Sequence, residues 1–229
     1  MFAERVIKLI ASFFAVTFVL TLHEFSHAFV AVKCGDPTPK WNKRLSLNPF
    51  RHFDLMGLVC FTLVGFGWAK PVPINPGNFK RYRLGLGLTA SAGIIVNYIS
   101  ALLFWPLVLV VWNYMPAVPV LSDFLWYFTN YLFAYSLGFC VFNLLPLAPL
   151  DGFRIVEAVN RKRGPVFRFI RDYGHWILLG LIVESFLCQI FVDFGVFQMR
   201  NFDILGWVME FATDIFGWPN KALWGLLPW

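Results

Sequence analysis

The chain has 229 residues, of which 59% are hydrophobic, 19% aromatic and only 14% charged. Ordinary globular domains carry about 25% charged residues, and the mean hydropathy is +0.64, so the composition is that of an integral membrane protein rather than a soluble one. The formal charge of +6 is no nucleic-acid footprint, because the basic residues fall between apolar segments, as in cytoplasmic loops.

Residues 6–32 form the first long apolar segment, interrupted by Lys8 and by Leu22-His23-Glu24-Phe25-Ser26-His27. At about 1.5 Å per residue it can cross a hydrocarbon core of about 30 Å. No A-x-A-like site follows a short apolar run, so the segment reads as a retained helix rather than a signal peptide. Gly35-Asp36-Pro37 ends it. Loop 33–53 is basic. Residues 54–67 are apolar but too short to span as a helix, which predicts a buried or re-entrant element. A proline-spaced stretch, Trp68-Ala-Lys-Pro71-Val-Pro73-Ile-Asn75-Pro-Gly77, follows and favours extended backbone.

The second long segment is 84–113, with Ser91, Gly93 and Asn97; the third is 126–146, closed by Pro146 and Pro149; the fourth runs from about 174 to 196. The tail, 203–229, carries Trp207, Trp218, Trp224 and Trp229 and reads as interfacial helices with tryptophan anchors, a short sixth span being the alternative. Loops 33–53 and 68–83 together hold nine Lys and Arg, 147–172 holds six and 114–125 none. Four spans plus one re-entrant element put every basic loop in the cytoplasm and the N-terminus outside, although Arg5 and Lys8 pull the other way. The predicted fold is therefore an all-α polytopic bundle. It forms one domain over 1–229, with a core at about 6–160 and a C-terminal span and helices at 174–229. Cys34, Cys60, Cys140 and Cys188 are too scattered for a disulfide framework or a thiolate zinc site.

His23 and His27 are i and i+4 on a helix, so both face one way and can chelate one ion. Glu24 stands beside them, where zinc hydrolases need a base that touches the water and not the metal. The bland alternative is two satisfied histidines packed between helices. Against it stands the cost of burying two imidazoles and a carboxylate in hydrocarbon, which is several kcal/mol without a partner. A catalytic zinc site wants a third ligand and an open position. His52 lies in a basic loop and His175 at a span boundary, and both read as interfacial. Among acids at span ends Asp151 stands out, at a depth similar to the two histidines.

His23-Glu24-x-x-His27, Asn143-x-x-Pro146 and Leu150-Asp151-Gly152 together resemble the site-2 protease family of intramembrane zinc metalloproteases. Gly35-Asp36-Pro37, Leu47-Asn48-Pro49 and Phe66-Gly67-Trp68-Ala69-Lys70-Pro71-Val72-Pro73 resemble its small bacterial branch. The resemblance covers about residues 6–160. It implies one zinc ion held by His23, His27 and Asp151, Glu24 as general base, and Asn143 as a group that holds substrate or stabilises the oxyanion. It also implies single-span membrane substrates within the bilayer, a bacterial inner-membrane location and a site toward the cytoplasm. Pro71, Pro73 and Asn75 become candidates for pairing with an unwound substrate strand. Ser91-Ala-Gly93-x-x-x-Asn97 resembles the family's G-x-x-x-N element, and reads equally as a small-residue helix contact. Ile94 and Phe153 depart from the family pattern, and no PDZ-like insertion or nucleotide-sensing pair is expected. A metal carrier or non-catalytic metal-binding membrane protein is the competing reading. A carrier usually shows repeated halves, and no repeat is visible.

Overall fold

The computed structural model describes residues 2–52, 54–64, 67–115 and 118–224. Phe66 and Trp229, named above, lie outside the described residues, as does the side chain of Trp224. Eight α-helices are described: α1 (Phe2–Cys34), α2 (Thr38–Trp41), α3 (Leu55–Val64), α4 (Tyr82–Asn113), α5 (Pro119–Leu144), α6 (Asp151–Val159), α7 (Pro165–Asp193) and α8 (Ile204–Trp224). No β-strand occurs among the described residues.

Helix boundaries follow backbone chemistry. Proline opens α5 and α7 at Pro119 and Pro165, where its missing N–H costs nothing. Gly35, at φ +112°, closes α1. Its N–H donates to the Val32 carbonyl at 3.1 Å, and Asp36 N–H donates to that of Ala31 at 3.0 Å, the paired bonds of a glycine-terminated helix end.

α1, α4 and α5 form the centre of the bundle, and α6 packs against α4 and α5. α8 leans on α4, α5 and α7, while α7 is mostly exposed along its apolar stretch. Phe14, Phe18, Ile95, Ile99, Leu103, Trp176, Val183 and Phe186 all point outward. Such a surface fits lipid, not water. α1, α4 and α7 are both long and apolar enough to cross a membrane, and the chain is an all-α membrane protein. α5 has the length, 26 residues, but Asp123, Tyr127, Asn130, Tyr131 and Tyr135 dilute its apolarity.

Two boundaries differ from the sequence reading. α5 begins at Pro119 instead of 126, because Pro119 starts a helix better than it breaks one. Loop 147–172 contains α6 and the first turns of α7, whose Arg168 and Arg171 are exposed; their stems extend the helix while the charged heads stay in water. The described part of the tail forms one helix, Ile204–Trp224, packed on the bundle, with Trp207 and Trp218 outward.

The short segment is too short to span and starts and ends close together. α3 is ten residues long, about 15 Å, and Lys70 N–H donates to the His52 carbonyl at 3.0 Å. The chain thus leaves and returns at one point. The two polar loops are laced together as well. Lys80 N–H donates to the Cys34 carbonyl at 3.0 Å, and Arg44 donates to the carbonyls of Arg51 and Pro71.

Asp36 is the knot of this lacing and is fully buried. Its Oδ1 accepts from Thr38 N–H at 3.0 Å, Thr38 Oγ1 at 2.5 Å and Asn78 Nδ2 at 2.8 Å. Its Oδ2 accepts from Asn75 N–H at 2.7 Å. Burial pushes its pKa up, but the bonds from Thr38, Asn78 and Asn75 outweigh that and hold it below the ordinary aspartate value.

Candidate metal centre

His23, Glu24 and His27 are buried on α1. His27 lies seven residues before the helix end, about 10 Å along the axis. Asp151 is the first residue of α6, where the helix N-terminus favours a carboxylate. Gly152 lets α6 start there, since a Cβ on it would sit 2.5 Å from the carbonyl oxygens of both Leu144 and Leu145.

These elements bring three donor atoms to one point. His23 Nε2 and His27 Nε2 are 3.0 Å apart, and Asp151 Oδ2 lies 3.4 Å from the first and 3.0 Å from the second. Among the described residues this is the one group of three His, Cys, Asp or Glu side chains close enough to share an ion.

The donor chemistry fits zinc. His27 Nδ1 lies 2.7 Å from the Thr89 carbonyl, which only a protonated Nδ1 can satisfy, leaving Nε2 with a bare lone pair. His23 Nδ1 lies 3.0 Å from Asn97 Nδ2, while Asn97 Oδ1 is buried without a partner. A half-turn of that amide places Oδ1 on an Nδ1–H and satisfies both groups. Two imidazole lone pairs and a carboxylate then converge with no hydrogen among them, an arrangement that calls for a cation. Tetrahedral ligands at about 2.0–2.1 Å from zinc stand about 3.3 Å from one another, close to the observed edges.

α4 completes the cradle. A Cβ on Gly93 would lie 2.5 Å from His23 Cε1, 2.5 Å from His27 Nε2 and 2.7 Å from His23 Nδ1. The Gly93-x-x-x-Asn97 element is therefore both a close helix contact and a support for the histidines.

A cavity of about 150 Å³ opens on this point, lined on one side by Glu24, Pro71, Val72 and Ile74 and on the other by Asn143, Asp151 and Arg154. Glu24 Oε2 accepts from Val72 N–H at 3.0 Å. Asn143 lines the cavity while its Nδ2 donates to the Phe139 carbonyl at 3.0 Å. Pro71 borders the cavity; Pro73 and Asn75 are not among its lining residues. Asn75 instead accepts from Gly77 N–H and gives its own N–H to Asp36. His52 is fully buried rather than interfacial. Its Nε2 donates to the Ser46 carbonyl at 2.5 Å, and burial lowers its pKa. His175 is exposed.

The chain is 43% identical over 153 residues to the "Putative zinc metalloprotease YwhC" of Bacillus subtilis (strain 168), covering 66% of this chain and 67% of that one. The chain belongs to a zinc metalloprotease family. It is also 26% identical over 199 residues to the "Putative zinc metalloprotease Rip2" of Mycolicibacterium smegmatis, covering 84% of this chain and 70% of that one. No protein-family model and no solved structure matches it. For a zinc metalloprotease the arrangement supplies three residues that could hold one metal, with Glu24 on the same cavity. Thr89 and Val72 were not readable in the sequence, since each contributes a backbone group. Arg154 had one signal, its place three residues after Asp151 on the same short helix.

Proposed function

We propose that this protein is an intramembrane zinc endopeptidase of the site-2 protease type, cutting the transmembrane segments of single-span proteins. One observation carries the reading. His23, Glu24 and His27 lie buried about 10 Å inside a helix long and apolar enough to span a bilayer, and Asp151 at the start of α6 completes a His-His-Asp donor set there. Ionisable groups at such depth mark function.

In this reading His23, His27 and Asp151 hold the zinc. When bound, zinc polarises the scissile carbonyl and acidifies the attacking water. Glu24 takes a proton from that water and delivers it to the departing amide nitrogen as the C–N bond breaks. Val72 N–H keeps Glu24 aimed into the cavity. Asn143 holds the substrate backbone, and the segment at Pro71 to Ile74 lies against the unwound strand. The described residues act as one catalytic unit. The run of Lys and Arg in the loops supports a site toward the cytoplasmic face of a bacterial inner membrane.

The test is Glu24→Gln in purified protein with a single-span reporter. Cleavage is expected to vanish while one zinc per chain is retained. Normal turnover by the variant rules out the mechanism, and zinc movement across vesicles without cleavage identifies a carrier instead.

A further inference from the structure

A hydrolytic site must stabilise the negative charge that builds on the substrate carbonyl oxygen, and the donors around this cavity are largely committed. Val72 N–H is bonded to Glu24 and Asn143 Nδ2 to the Phe139 carbonyl. His27 Nδ1 is bonded to the Thr89 carbonyl, and His23 Nδ1 faces Asn97. The Thr89 hydroxyl lacks a partner, but it is neutral and closed off from solvent.

Arg154 is different. It is the one Lys or Arg among the described residues lining the cavity, and its side chain makes no hydrogen bond or ion pair among them. The acids of α6 and of the cavity are engaged elsewhere: Glu157 with Arg163 at 3.4 Å, Glu24 with Val72 N–H at 3.0 Å, and Asp151 beside the two histidines. Arg44, a buried guanidinium near Glu24, spends its donors on the carbonyls of Arg51 and Pro71. Arg154 stands three residues after Asp151 on α6, so the two share a face with Cβ atoms about 5–6 Å apart. The Arg154 side chain lines the same cavity as the ligand carboxylate.

Resting on the protease reading above, we propose that Arg154 is a further catalytic residue whose guanidinium binds the scissile carbonyl oxygen as it becomes an oxyanion. As the water oxygen bonds to the carbonyl carbon, the C=O electron pair moves onto oxygen and meets the fixed positive charge. When the pair returns and the C–N bond breaks, the proton held by Glu24 leaves with the amine. Peptide and water become acid and amine, with nothing else consumed. Donors aimed at developing charge in a water-poor site do more than they would in bulk solvent.

The experiment uses the full zinc-loaded chain in detergent with a single-span reporter and compares wild type, Arg154→Gln and Arg154→Lys. Arg154→Gln should lower kcat by about 10²–10³-fold, the effect typical of losing an oxyanion donor, with KM little changed and one zinc per chain. Arg154→Lys should recover part of the loss, because the charge remains while the planar fork does not. A phosphonamidate peptide, which mimics the tetrahedral state, should weaken in step with kcat/KM, while an uncleaved substrate analogue should not. A kcat within about twofold of wild type overturns the proposal, as does a loss that tracks zinc content, since Arg154 would then only brace Asp151. A wild-type chain that cuts no peptide defeats the protease reading itself; a wild type and Arg154→Gln that cut equally defeat only this assignment.

Discussion

Gly93→Ala adds one methyl group at the point where α4 meets the two histidines. The added carbon would lie 2.5 Å from His27 Nε2 and 2.5 Å from His23 Cε1, whereas ordinary contact begins at 3.4 Å. Something must therefore yield by about 0.9 Å. His27 Nδ1 is tied to the Thr89 carbonyl of α4 itself, so moving α4 away breaks one bond, and tilting the rings displaces a donor atom. Zinc bond lengths tolerate about ±0.2 Å, so the displacement is about four times what the site accepts. Loss of a support of this kind lowers metal affinity by at least about 10–100-fold, and overpacking costs a further 1–3 kcal/mol or so of stability. Gly138→Ala is the control, because a Cβ there meets nothing within 4 Å. Zinc per chain, measured by mass spectrometry across a chelator titration, separates the two. A Gly93→Ala protein that keeps one zinc at wild-type affinity would refute the placement of α4 against the metal centre.

Two further outcomes are expected. Asn97→Leu removes the partner of His23 Nδ1 and should weaken zinc binding about 10–100-fold without unfolding the bundle, measured in the same titration. Asp36 titrates below its unfolded value, so its stabilisation is fully present above that value and is lost as pH falls through the folded pKa. Thermal melting of zinc-free protein should fall more steeply for wild type than for Asp36→Asn as pH drops from about 5 to 3, with the variant less stable at pH 5; equal slopes would dismiss the Asp36 knot.

The metal helix and its partners were legible because side chains carried the signal. His23 and His27 repeat at one helical turn, Asp151 follows a proline-broken span at matching depth, and Gly93 and Asn97 sit one turn apart. The supporting atoms were hidden where they belong to the backbone, as with the Thr89 carbonyl and Val72 N–H. Pairing between elements 48 or 62 residues apart leaves no trace in composition. Pro119 misled because proline both ends and begins helices. His52 misled because its neighbours in sequence are charged, while its neighbours in space are the folded loop that encloses it. The orientation was drawn from charge, whereas α5 shows a central helix with polar side chains: Tyr135 shares a 2.7 Å hydrogen bond with Ser12 of α1, and Asn130 donates to the Trp126 carbonyl of its own helix.

The donor set joins residues 124 positions apart in the chain, two on α1 and one on α6. In a bilayer the lipid tails are as apolar as the helix faces, so burial does little to hold helices together. The nine-residue α6 packs on α4 and α5 rather than on α1. A bound metal would therefore also cross-link α6 to α1, so that in the protease reading its removal loosens the bundle beside the cavity.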